Sequence, residues 1–242
     1  MKTYFSNRLY SILIVALIVT GGAAIADCRS ALQQIIEMNI QQITDPSQTR
    51  GRETMLYHSE LGSRLPDMLD RLGPSDHWID LGAGEAMAQQ TYAREKSSHA
   101  KLTAIDVRGP STPTASVKVE RGLFFQMDIS SIGKADLITD VEGVLGYSIL
   151  FSEDLSKALS HLKPGGTLMF SMQRQTQDGH PLAFTNKDGA PITAETYFSK
   201  IKGLSSFEVD DAGTFVRVIL PRLGSDRGLS SSDFELSFDC AP

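Results

Sequence analysis

The chain has 242 residues, 41% of them hydrophobic, and a formal net charge of −6. That length suits one globular domain with an ample core and leaves little room for a second. The acidic balance, without a Lys/Arg cluster, an internal repeat or a low-complexity tract, argues against a nucleic-acid surface, which needs a concentrated basic face.

Residues 1–26 stand apart from the rest. Lys2 and Arg8 precede an uncharged, mostly apolar run from Leu9 to Ala26 that ends in Ala24-Ile25-Ala26. A basic start, an apolar middle and a small-x-small end describe a secretory signal peptide. The alternative is an uncleaved membrane anchor, since the run is nearly long enough to cross a bilayer. Under either reading the positive flank stays inside and the body is exported, to a periplasm or beyond. Acylation at Cys28 is disfavoured by Asp27, which stands where such sites take a small residue. The two cysteines, Cys28 and Cys240, lie at the two ends of the mature chain. Domain termini often lie close together, so a Cys28–Cys240 bridge is expected in an oxidising compartment, worth at most about 5 kcal/mol in the entropic account. Two unpaired tail thiols are the other possibility.

Leu32, Ile35, Ile36 and Ile40 recur at helical spacing between Arg29 and Ile43, until Asp45-Pro46 breaks the pattern. A second helical stretch runs from about Arg52 to Leu72, with Met55, Leu56, Leu65, Met68 and Leu69 as its buried side, and Gly73-Pro74 stops it. These helices read as an N-terminal cap over residues 27–74. From residue 75 to 221 short apolar runs alternate with helical ones. The runs are His77–Leu81, Leu102–Asp106, Leu123–Met127, Ala135–Thr139, Thr167–Met172, Ser206–Asp210 and Thr214–Leu220, with helical stretches over 85–97, 152–162 and 193–201. This alternation predicts an α/β fold: a doubly wound, mostly parallel seven-stranded sheet preceded by N-terminal helices. Only Asp211-Ala212-Gly213 separates the last two runs, too little for a crossover, so they form a C-terminal antiparallel hairpin. A helix is expected between Asp106 and Leu123, yet that segment is rich in Pro, Ser and Thr and shows none. Residues 222–242 are a polar, Ser-rich tail in which Phe234, Leu236 and Phe238 alternate with polar residues.

The chemistry concentrates in HWIDLGAGEAM, residues 77–87. A glycine turn between a strand and a helix lets a ligand lie against backbone N–H groups at the helix start. Asp106 ends the next strand 22 residues after Gly84, where an acid would hold a pair of ribose hydroxyls. A dinucleotide would want a third glycine at position 87, which is Met87. Its pyrophosphate would also lie between Asp80 and Glu85, each like-charge contact costing on the order of 4 kcal/mol at 4 Å and an effective dielectric near 20. A nucleoside with a cationic centre and no phosphate has the opposite balance, and S-adenosylmethionine is such a ligand.

These residues resemble the class I S-adenosylmethionine-dependent methyltransferases. The family's first motif, acid-x-Gly-x-Gly-x-Gly, is matched by Asp80-Leu-Gly82-Ala83-Gly84-Glu-Ala86, with Ala86 in the third glycine place. Its acid after the second strand matches Asp106, followed by Val107. Its acid after the third strand, facing the adenine amino group, is similar to Asp128, with Ile129 beside the ring. Its fourth-strand motif is similar to ADLITDVEGVLGY, which puts Asp140 at the mouth of the site. HLKPGGTLMF resembles the turn before its fifth strand, and the closing hairpin its sixth and seventh. The resemblance covers roughly residues 50–221. It implies that Gly82, Ala83 and Gly84 take the methionine end of the cofactor with Asp80 near its ammonium, Asp106 the ribose and Asp128 the adenine.

Methyl transfer needs little acid/base machinery, because the sulfonium is already activated and in-line positioning supplies much of the effect. Asp140, Glu142, Tyr147 and His180 are the candidates near the mouth. The Asn/Asp-Pro-Pro-Tyr motif that family members acting on amide or amino nitrogens often carry is replaced by Asp140-Val-Glu-Gly, which disfavours that chemistry. His58, His99 and His161 are too scattered to ligate a metal together. Export of a fold whose cofactor is made in the cytosol leaves two readings: a methyltransferase of unknown acceptor acting where the cofactor exists, or a non-catalytic binding or interaction domain on the same fold.

Overall fold

The computed structural model describes residues 54–97, 99–111, 115–141, 143–148, 151–173, 184–185, 191–201, 207–210 and 215–221. The leader, Cys28, Cys240, the helix over Arg29–Ile43 and the tail lie outside them. Among the described residues no helix is long and apolar enough to cross a membrane.

Two short helices open the described chain, α1 (Thr54–Leu61) and α2 (Arg64–Arg71). The sequence suggests one continuous helix here. Gly62, at φ +78, ends α1 instead, because only a residue without Cβ enters the left-handed region at little cost. Then follow β1 (His77–Leu81), α3 (Met87–Glu95), β2 (Lys101–Asp106), β3 (Val117–Arg121), two 3₁₀ turns (Phe124–Gln126 and Ser130–Ile132), β4 (Ala135–Val141), α4 (Val144–Tyr147), α5 (Phe151–Ser160) and β5 (Leu162–Gln173). A two-stranded pair, β6 (Phe184–Thr185) and β7 (Pro191–Ile192), precedes α6 (Ala194–Ser199), β8 (Glu208–Asp210) and β9 (Phe215–Pro221).

The main sheet has seven strands in the order β3-β2-β1-β4-β5-β9-β8. The first five are parallel, and β9 pairs antiparallel with both β5 and β8. Strand parity divides the core into two layers. Trp78, Leu102, Ala104, Leu137, Val141 and Met169 pack beneath α1, α2 and α3 with Tyr57, Leu61, Leu65 and Tyr92. Ile79, Leu81, Ile105, Ile138, Leu168 and Phe170 face α5 and α6 with Phe151, Leu155 and Phe198. Parity also sends Asp80 toward α1, on the side of Trp78, a direction that governs its partners.

The third strand is not the one the sequence suggests. Leu123–Met127 is the more apolar run, but the strand is Val117–Arg121, paired with β2 from Leu102↔Val117 to Asp106↔Arg121. An edge strand covered on one face needs only alternate apolar residues, and Val117 and Val119 supply them. Phe124 enters the core from a 3₁₀ turn, and the Lys157 ammonium lies 4.9 Å from its ring centroid while donating to the carbonyls of Phe124 and Met127. Lys157 thereby pins the irregular segment between β3 and β4.

Candidate functional site

In a doubly wound sheet ligands bind at the carboxyl ends of the strands, where the strand order reverses. Here that point lies between β1 and β4, with β2 beside β1. The turn after β1 is anchored by the amides of Gly82 and Ala83, which both donate to the Ile105 carbonyl at 2.8 and 3.2 Å. Gly82 sits at φ +65, and a Cβ there would stand 2.6 Å from the Cα of Gly143. The β1 and β4 turns therefore meet backbone to backbone. Ala86 keeps the turn in the third glycine place, but at φ 52, a left-handed conformation that costs an alanine roughly 1 kcal/mol.

Asp106 closes the rim beside this turn. One carboxylate oxygen accepts the Gly84 amide at 2.9 Å, and the other accepts the amides of Arg108 at 2.9 Å and Gly109 at 3.1 Å. A carboxylate has about four acceptor positions, so roughly one remains for a ligand hydroxyl. Val107, half-buried, follows it in the chain, and the Gly122 amide donates to the Asp106 carbonyl, which brings the half-buried Leu123 to the same end of the sheet. Glu85 binds the loop from the other side, accepting the Ser111 amide and hydroxyl at 2.9 Å each. The loop after β2 is thus tied to the glycine turn by two carboxylates.

Two predicted acids point elsewhere. Asp80 is fully buried, and its two oxygens accept hydroxyl hydrogens from Tyr57 and from Thr139, each at 2.6 Å. Thr139 in turn accepts the Trp78 indole N–H at 2.8 Å. Asp140 is equally buried, on the opposite face of the sheet. It receives the amides of Gly143 and Leu145, both at 2.7 Å, and so caps the start of α4.

Asp128 and Ile129 do not join the rim. Asp128 accepts the Ser130 amide at 2.9 Å, and its carboxyl is held below the usual range by that residue and by the nearby charges of Lys157 and His161. His161 precedes β5 directly, its carbonyl accepts the amide of Ala135 at the start of β4, and its ring bonds the Ile129 carbonyl at 2.9 Å. These residues belong to the amino ends of the strands, the edge away from Gly82 and Asp106. Because β3 ends at Arg121, the chain leaves the rim through Gly122-Leu123, where no acid stands. Glu142 and His180 lie outside the described residues, and Tyr147 falls in α4.

Sequence reading missed Tyr57, Thr139 and Asp154. Asp154, 3% exposed in the first turn of α5, accepts the Ser148 hydroxyl at 2.6 Å, and its other oxygen has no hydrogen-bond partner among the described residues. Burial pushes its carboxyl up to about 6, against the pull of Ser148 and Lys157. Acids in the first turn of a helix are common, so nothing in the sequence marks this one. No group of three His, Cys, Asp or Glu among the described residues could hold a metal ion.

A doubly wound sheet that closes on an antiparallel pair and carries its glycine turn at the reversal point is what the class I resemblance implies. The fold is methyltransferase-like. No family model and no curated protein matches the chain. Solved structures do. A candidate S-adenosylmethionine-dependent methyltransferase of Listeria monocytogenes is similar at 15% identity and a TM-score of 0.47, over 69% of this chain and 97% of that one. A possible exported protein of Bordetella parapertussis shows 15% identity and a TM-score of 0.46 over 65% of each chain. The N-methyltransferase NodS of Bradyrhizobium japonicum shows 12% identity and a TM-score of 0.41, over 66% of this chain and 93% of that one.

Proposed function

We propose that the protein binds S-adenosylmethionine at the carboxyl ends of β1 and β2 and transfers its methyl group to an acceptor. The observation that carries this reading is Asp106: a half-buried carboxylate at the end of β2, bonded to the glycine turn and held by three amides, with an acceptor position left over. Those amides preorganise it for a ribose diol, and Val107 and Leu123 offer apolar surface for a base. Carboxylates rather than cations flank the glycine turn itself, which favours a positively charged nucleoside over a diphosphate. S-adenosylmethionine, when bound, supplies a methyl group already activated on sulfur. The chain's own part is then to bind, orient and exclude water, and it needs no dedicated acid or base unless the acceptor must lose a proton.

A second reading, a binding domain without turnover, is favoured by one feature. Asp80 and Asp140, the acids nearest the methionine end, have both oxygens engaged by the protein itself. Calorimetry on the mature protein, followed by methyl-transfer assays over a broad acceptor panel, separates the two. Binding that disappears in Asp106→Ala, together with turnover, supports the enzyme. Binding with no turnover on any acceptor supports the second reading, and no binding at all sinks both.

Export is proposed as well, on the basic, apolar and small-residue pattern of residues 1–26. A fusion to a reporter active only outside the cytoplasm should give signal, and a silent fusion would contradict export.

A further inference from the structure

The main sheet ends on two edges, β3 at one side and β8 at the other, and among the described residues no further strand pairs with either. The Gly122 amide donates to the Asp106 carbonyl, so Gly122 turns its backbone polar groups toward β2. Bonding direction alternates residue by residue along a strand, and Lys118 and Glu120 therefore bond inward as well. The amides and carbonyls of Val117, Val119 and Arg121 point outward, away from β2. An open edge of this kind recruits another strand unless its side chains prevent it.

Charge separates the two edges. β3 reads Val-Lys-Val-Glu-Arg, with Val119 at its centre. When two β3 strands pair antiparallel about Val119, Lys118 of each copy stands opposite Glu120 of the other. Val119 then faces Val119 as a hydrogen-bonded pair and Val117 faces Arg121, which satisfies every outward group. Lys118 and Glu120 fall at the non-hydrogen-bonded positions, where facing Cα atoms come closest, about 4.5 Å apart. Val117 packs with Leu102 and Ala104 in the layer beneath α3, so Lys118 and Glu120 occupy the opposite face, Lys118 exposed and Glu120 half-buried. They already pair within one chain at 2.6 Å, and a second copy completes a square of alternating charges. β8 behaves oppositely. It reads Glu-Val-Asp, and the same operation about Val209 sets Glu208 against Asp210, acid against acid. Like charges directly opposite destabilise a strand pair, so that edge resists a second copy.

We infer that β3 is a self-association edge, through which two copies of this chain pair antiparallel over Val117–Arg121 and join their sheets about a two-fold axis at Val119. The order of charges is complementary to its own reverse, which selects the chain itself over an unrelated strand. Antiparallel pairing points the carboxyl edges of the two sheets in opposite directions, so the two glycine turns lie on opposite sides of the assembly. The inference is independent of the proposed function.

Sedimentation velocity on the full chain tests it, over a concentration series and with a reductant so that Cys28 and Cys240 cannot link copies. Wild type should dimerise, more weakly as salt rises. Lys118→Glu and Glu120→Lys each set like charges opposite one another and should raise the dimer dissociation constant about tenfold. The double exchange, Lys118→Glu with Glu120→Lys, restores opposite charges at both positions and should return that constant to within about threefold of wild type. A monomer at every concentration, indifference to the single changes, or failure of the double exchange to restore association overturns the inference. Should a variant fold poorly, hydrogen exchange on wild type decides. Amides of Val117, Val119 and Arg121 should exchange more slowly as concentration rises, and exchange there that ignores concentration overturns the inference.

Discussion

Asp106 accepts the amide of Gly84 at 2.9 Å, joining the end of β2 to the turn that follows β1 across 22 residues of sequence. Two more amides, of Arg108 and Gly109, complete its shell. Replacing Asp106 by alanine strands all three, so we expect a loss of about 3 kcal/mol in urea denaturation together with loss of S-adenosylmethionine binding. Asp106→Asn keeps one carbonyl oxygen for Arg108 and Gly109 and should cost about half as much. An alanine variant with wild-type stability would show that these bonds do not form in solution.

The contact between Gly82 and Gly143 sets a steric limit. A Cβ on Gly143 would lie 2.5 Å from the Leu81 carbonyl and 2.6 Å from the Asp140 carboxylate. The first neighbour is backbone and the second a buried carboxylate pinned by two amides, so neither gives way easily and the turns must separate. Gly143→Ala should destabilise the fold by about 3 kcal/mol, and thermal unfolding should show a clear drop in Tm. An unchanged Tm would mean that the two turns stand farther apart than described.

Two buried groups pull stability in opposite directions as pH changes. Burial raises the Asp154 carboxyl from 3.8 to about 6, so its neutral form is preferred in the fold. The stability from that preference is complete below about pH 4 and is lost as pH rises to about 6, by up to about 3 kcal/mol. His77, in contact with the Lys134 carbonyl and the Thr103 hydroxyl, is lowered by burial from 6.5 to about 4. Its stabilising neutral form is lost as pH falls through the same window. The two partly cancel in wild type. Asp154→Asn removes one side of the balance, so its stability should fall more steeply than wild type between pH 6 and 4. Parallel curves for the two proteins would refute the burial of Asp154.

Lys157 holds the segment between β3 and β4 by point contacts. It donates to the carbonyls of Phe124 and Met127, and burial lowers its ammonium from the usual range. Lys157→Met keeps the aliphatic stem but leaves both carbonyls without this donor. About 2 kcal/mol should be lost in denaturant unfolding, with exchange protection falling first in residues 124–132. Unaltered protection there would show that the segment holds without it.

The alternation of runs, the glycine turn and the place of Asp106 were legible in the sequence because each depends on local chain geometry. A strand must end where its apolar run meets a turn, and an acid at that end lies on the rim whatever packs around it. Legibility failed where a more apolar segment was not the strand: Phe124 and Met127 are used by Lys157 and the core, and the pairing partner of β2 is the half-polar Val117–Arg121. That displacement carries Asp128 away from the rim. The state of Asp80 could not be read either, because its partners Tyr57 and Thr139 stand 23 and 59 residues away. Sequence by itself determined that the glycine turn, Asp80, Asp106 and Asp140 stand at the carboxyl ends of β1, β2 and β4. Only the tertiary structure decided which of them are already spent on the protein's own donors, since hydrogen bonds in a buried network are allotted by contacts between elements remote in the chain.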